Sequence, residues 1–154
     1  MRKKKKYTKN FQPDFKYNNA TISRFVNYIM KDGKKSIAKN IVYSMLDEVA
    51  KKSKQNAVEV FEKALDNASP VYEVVSKRVG GANYQVPREV RATRKFFLAC
   101  KWIIDGARSV KGKPMAVKLA DEILSAFKNE GSAIKKKQNI HKMAEANRAF
   151  AYFK

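Results

Sequence analysis

The sequence predicts a mainly α protein, a bundle of about six helices with one protruding β-hairpin and a basic, partly disordered N-terminal arm. Apolar residues recur at helical spacing in six stretches, the period changes to two between Pro70 and Pro87, and the first sixteen residues show no period and are dominated by lysine. With 154 residues the chain fits one domain, and 44% hydrophobic residues are enough to bury a core. The expected division is a basic arm over 1–17 and a single helical domain over 18–154, with the hairpin at about 71–87.

Ile22, Phe25, Val26, Ile29 and Met30 form the stripe of a first helix, which Asp32-Gly33 should end. Ile37, Ile41, Val42, Met45, Leu46 and Val49 repeat the stripe in a second, with Ser36 as its expected cap. Asn56 with Glu59 makes a capping-box-like start for a third, whose buried face is Phe61, Ala64, Leu65 and Ala68. Val71 to Val79 is rich in β-branched residues, Gly80-Gly81 supplies a two-residue turn, and Ala82 to Val86 resumes the extended pattern. Such a hairpin is marginal alone and must lean on the helices or be ordered by a partner. A fourth helix is expected from about Val90 to Val110, with Phe97, Cys100, Ile104 and Ala107 inward. Lys113-Pro114 opens a fifth, with Leu119, Ala120, Ile123 and Phe127 inward and Gly131 at its end. Ser132 caps a sixth, whose spacing aligns Ile140, Met143, Ala144 and Asn147.

Charge narrows the function. Thirty-four Lys and Arg oppose 14 Asp and Glu, a net +20, and the excess is concentrated. Residues 1–17, 76–101 and 131–154 hold 20 of the bases but only three of the acids. A near-neutral remainder presenting separate cationic surfaces is the pattern expected of a protein bound to one large polyanion. Phosphate contacts alone do not separate RNA from DNA. Lys34-Lys35 lie at the start of the second helix, where the macrodipole disfavours cations. A bound phosphate would reverse that sign; a tolerated charged turn is the alternative.

Enzymatic readings find little support. Cys100, the only cysteine, sits among Phe96, Phe97, Ile103 and Ile104, which favours a buried thiol and excludes an intrachain disulfide. His141 is the only histidine and is read as a solvated surface residue, so no His-based triad or metal cluster is available. Asp47-Glu48 and Asp121-Glu122 read as solvated helix faces. Gly80-Gly81 lies inside a hairpin, unlike a phosphate-cradling nucleotide loop. Neither a catalytic role nor a cofactor is expected. No stretch approaches membrane-spanning length, and the basic start lacks the apolar run of a secretory signal. Trp102 and most phenylalanines fall on or beside the helix stripes and read as core, whereas Tyr84 in the hairpin is a candidate stacking ring.

Three stretches go further. Asp32-Gly33-Lys34-Lys35, the run from Lys77 through Gly80, Gly81, Ala82, Asn83, Tyr84, Gln85, Val86 and Pro87 to Arg91, and the run from His141 through Asn147 and Arg148 to Ala151 together resemble the ribosomal protein seven family of the small subunit, in its bacterial or organellar type. The resemblance implies six helices with a protruding hairpin, early binding to the 3′ major domain of small-subunit rRNA, and organisation of the head. It implies rRNA contacts for Arg2, Lys3, Lys4, Lys5, Lys6 and Lys9 in the arm and Lys34 and Lys35 after the first helix. It extends them to Lys77 and Arg78 in the hairpin, Arg91, Arg94 and Lys95 around the fourth helix start, and Lys135, Lys136, Lys137 and Lys142 in the sixth. Gly80, Gly81, Tyr84, Asn147 and Arg148 would lie near exit-site tRNA and the mRNA path, beside proteins of the head and platform. The implied location is the ribosome, in the bacterial cytoplasm or an organelle matrix, with no membrane partner.

Overall fold

The computed structural model describes residues 11–152. In chain order these form helices α1 (Ala20–Ile29), α2 (Lys35–Ser53) and α3 (Ala57–Ala68), strands β1 (Tyr72–Val79) and β2 (Ala82–Glu89), helices α4 (Ala92–Ser109), α5 (Met115–Phe127) and α6 (Ser132–Ala146), and a final 3₁₀ helix (Arg148–Tyr152). The predicted stripes are largely the buried ones: Ile22, Phe25, Val26 and Ile29 of α1 meet Phe61, Ala64 and Leu65 of α3 and Trp102 and Ile103 of α4 in one core. Helix α5 packs against α2, α3 and α4, and its Leu119, Ala120 and Ile123 are fully buried.

Local chemistry sets the boundaries. Asn19 caps α1, its side-chain oxygen accepting the Thr21 and Ile22 N–H groups at 2.8 and 3.4 Å. Asp32 and Gly33 both take positive φ and reverse the chain before α2. That turn starts α2 at Lys35, so Ser36 falls inside the first turn and is not its cap. With the start set there, Ala38 points inward and Ile37 remains 54% exposed, a correction to the predicted stripe. Asn56 caps α3 as expected, accepting the Val58 N–H at 3.1 Å while its amide donates to Glu59 at 2.9 Å.

Pro114 stands just before the first helical residue of α5. Gly131 opens α6 with φ 96° and does not end α5, whose exit turn is made by Asn129 at φ 61°. Ser132 is the first residue of α6, and the cap comes from α5: Glu122 accepts the Ser132 hydroxyl at 2.8 Å and the Ala133 N–H at 2.9 Å. Its neighbour Asp121 pairs with Lys52 at 2.6 Å and Lys113 at 3.3 Å. The pair read as a solvated face therefore ties α5 to α6 and α2. Replacing Glu122 with Ala should cost about 1 kcal/mol, the usual loss for a helix cap, measured as a lower urea midpoint at unchanged slope.

The strands pair antiparallel from Tyr72↔Glu89 to Val79↔Ala82, and Gly80 and Gly81, at φ 57° and 91°, make the two-residue turn. The hairpin leans on α6 and the 3₁₀ helix. Tyr84 lies against Phe150 with ring centroids 5.2 Å apart, and His141 Nε2 accepts the Val71 N–H at 3.1 Å. His141 is therefore a docking residue, half-buried and not freely solvated. On α6 the inward positions are Ala133, Ile134 and Ala144, and Met143 is exposed.

Most of the arm expected over 1–17 lies outside the described residues, but its last part is held by the body. The buried Asp14 carboxylate accepts the Tyr43 hydroxyl of α2 at 2.9 Å, and Lys16 reaches Asp47 at 3.6 Å.

Candidate nucleic-acid interface

The base of the hairpin, the first turn of α4 and the first half of α6 meet on one side of the bundle. Arg91 stands before α4 and is exposed, as are Lys135 and Lys136 on α6. Lys95 of α4 and Lys137 of α6 lie near each other: burial first, then the like charge of Lys95, pushes the Lys137 ammonium below its usual range. Lys137 also has an internal duty, donating to the Asn67 carbonyl near the end of α3 at 2.6 Å. Arg94 likewise faces two ways. Its Nε donates to Glu73 at 3.2 Å, and its guanidinium lies 5.1 Å from the Phe97 ring centre.

Glu73 is 8% exposed and also accepts two bonds from Arg88, from Nε at 2.8 Å and Nη2 at 2.6 Å. Burial opposes its ionisation, but the hydrogen bonds and charges of Arg88 and Arg94 outweigh that and hold the carboxyl below its usual range. Neither Arg88 nor Arg24 stood out in the sequence. The Arg24 guanidinium of α1 lies 3.8 Å from the Phe96 ring centre and 5.0 Å from that of Phe11, with its Nε buried and without a hydrogen-bond partner. The available signal was weak, a basic residue interrupting the apolar stripe of α1.

A second cationic surface is the α1–α2 turn, where Lys34 and Lys35 are exposed beside Lys31. Lys34 occupies the capping position without a side-chain cap bond. The turn borders a cleft of about 290 Å³ with an apolar floor that includes Ile37, Ile41 and Met115, and with Arg108 at its rim. At the hairpin tip, Arg78 stands opposite Asn83 and Lys77 opposite Tyr84, next to exposed Gly80 and Gly81. Asn147 ends α6, its amide donating to the Met143 carbonyl at 2.8 Å, and Arg148 follows, exposed. The Tyr84–Phe150 contact puts this end of α6 and the hairpin on the same side. Lys142 is exposed on α6. Arg2, Lys3, Lys4, Lys5, Lys6 and Lys9 lie outside the described residues.

Hairpin docking should depend on pH. Burial, then Lys137, lowers the His141 pKa from 6.5, and the Glu73 pKa is lowered from 4.5. Both folded-state values lie below the unfolded ones, so each contribution is complete above the ordinary pKa and is lost as pH falls through the folded value. The protection factor of the Val71 amide, its exchange rate corrected for the intrinsic pH dependence, should fall below pH 6.5, before global unfolding; a protection factor tracking global stability throughout would refute this.

Among the described residues no group of His, Cys, Asp and Glu could hold a metal ion, and no helix is long and apolar enough to cross a membrane. Cys100 is fully buried, and burial pushes its thiol up to about 12.

Among the described residues the geometry therefore offers cations on several faces. The family model for ribosomal protein S7p/S5e matches residues 1–148. A "small ribosomal subunit protein uS7" from Fervidobacterium nodosum is 51% identical over 154 residues, covering 100% of this chain and 99% of that protein. The protein of the same name from Thermosipho africanus is 49% identical over the same coverage, and that from Afipia carboxidovorans is 54% identical over 142 residues, 92% of this chain and 91% of its own length. With a family match over nearly the whole length and relatives near half identity, the chain belongs to the ribosomal protein S7p/S5e family, as a non-enzymatic structural protein of the small ribosomal subunit.

Proposed function

We propose that this protein binds the 3′ major domain of small-subunit rRNA early in assembly and organises the head around it, in the bacterial cytoplasm. The observation that carries this reading is the convergence of the hairpin base, the α4 start and α6 into one basic side, with a second basic surface at the α1–α2 turn. Separated cationic surfaces on a rigid helical body suit folded RNA, which is recognised by backbone and shape.

Arg91, Lys95, Lys135, Lys136 and Lys142 serve as phosphate contacts on the first side and Lys34 and Lys35 on the second. Arg94 and Lys137 contribute charge while also holding the fold. Arg2, Lys3, Lys4, Lys5, Lys6 and Lys9 extend the grip, and Lys77 and Arg78 carry it up the hairpin. The tip at Gly80 and Gly81, with Tyr84, Asn147 and Arg148, stands near exit-site tRNA and the mRNA path, and neighbouring proteins of the head and platform complete the surroundings.

Binding to a transcript of the 3′ major domain, against duplex DNA and an unrelated folded RNA across a salt series, tests the reading. Affinity for the transcript should survive salt that removes both competitors. Equal, salt-fragile binding to all three would refute it.

A further inference from the structure

We infer that Arg88 and Arg94, cross-linked through Glu73, form a two-guanidinium clamp for a phosphodiester of the bound RNA, with Glu73 as its positioning residue. This rests on the RNA-binding reading above and adds a defined site to it. Glu73 on β1 faces Arg88 across the hairpin register, and its other oxygen takes Arg94 from the first turn of α4. One carboxylate thus fixes two arginines from different elements, each on its own oxygen.

The exposures separate the roles. The Glu73 side chain is 11% exposed, whereas those of Arg88 and Arg94 are 57% and 48% exposed. Arg88 uses Nε and Nη2 on the carboxylate, leaving Nη1; Arg94 uses Nε, leaving both terminal nitrogens. Phe97 supports the Arg94 guanidinium from one side. The assembly keeps a net positive charge, and its planar donors, already immobilised, match the oxygens of a phosphodiester.

The clamp reverses the prediction of simple charge counting. Replacing Glu73 with Gln removes a negative charge from a basic surface, which by charge alone should tighten RNA binding. Loss of positioning should instead weaken binding to the 3′ major domain transcript roughly tenfold, through the ordering cost of two released side chains. Arg88→Lys keeps the charge and can still pair with Glu73, but lacks the fork, and should weaken binding similarly. The two changes disable one device, so the double variant should bind no more weakly than the weaker single variant.

Full-length variants, checked for native helicity and melting, are titrated with the transcript across salt. If E73Q melts early, the comparison rests on R88K and on Arg94→Lys. Weakened, non-additive binding supports the clamp. Selective binding by the unaltered chain with E73Q equal or tighter, or with additive losses, overturns the clamp alone; for an early-melting E73Q, undiminished binding by R88K and R94K does so. Non-selective binding by the unaltered chain overturns both readings.

Discussion

Phe61→Ala should destabilise the protein by about 3–5 kcal/mol, read as a lower urea midpoint in an unfolding titration followed by far-ultraviolet circular dichroism. Phe61 is fully buried on α3 and meets Phe25 of α1 edge-on, with ring centroids 5.0 Å apart. Truncation removes the transfer free energy of the ring, leaves a cavity, and deletes an aromatic pair worth about 1 kcal/mol. Small domains have about 5–15 kcal/mol in total, and this one carries +20, which opposes compaction. Phe61→Leu, which keeps most of the volume, should cost markedly less. Equal losses for the two would mean that the retained volume counts for little, and would contradict the cavity argument.

The second large effect should fall on binding and spare the fold. Arg91, Lys95, Lys135 and Lys136 replaced together by Ala should weaken binding to the 3′ major domain transcript by roughly several hundredfold at physiological salt, and reduce the salt slope by about three to four. The choice follows from the structure. Lys137 and Arg94 hold Asn67 and Glu73, so their removal would confuse folding with binding. Lys95 instead presses on Lys137 by like charge, and losing it relieves a repulsion. Melting should therefore be unchanged or slightly raised. Lost helicity would show these residues to be structural, and an unchanged slope would remove them from the phosphate contacts.

What could be read from the sequence was what local periodicity and capping determine. The stripes of α1 and α3, the Asn56–Glu59 start, the Gly80-Gly81 turn and the burial of Cys100 and Trp102 all follow from spacing or residue type within a few positions. The misses have tertiary causes. Ser36 looked like a cap because of its residue type, but the turn at Asp32 and Gly33 started α2 two residues earlier and left Ile37 outside. Met143 matched the α6 stripe, yet it is exposed, and α6 meets the bundle core through Ala133, Ile134 and Ile140.

The same limit applied to function. Charge clustering marked the surfaces, but not which cations have partners. Lys137 spends its ammonium on α3, Arg94 shares Glu73 with an arginine that had not stood out, and Glu122 and His141 looked solvated until the helices placed a backbone N–H beside each. Two of these pairings, His141 with Val71 and Lys137 with Asn67, join residues 70 positions apart, and no local pattern encodes them.

The most direct test of the central claim, that the basic faces grip one RNA domain together, uses tethered cleavage. Cys100 is buried with its thiol pushed up to about 12, so a hydroxyl-radical-generating iron chelate can be attached selectively through Lys35→Cys, Asn83→Cys or Lys136→Cys. Each loaded variant is bound to full-length small-subunit rRNA and the cuts are mapped. Cuts should be confined to the 3′ major domain, at a different set of positions from each site. Cuts spread over all domains, or the same weak pattern from every site, would show a polycation on RNA and contradict it.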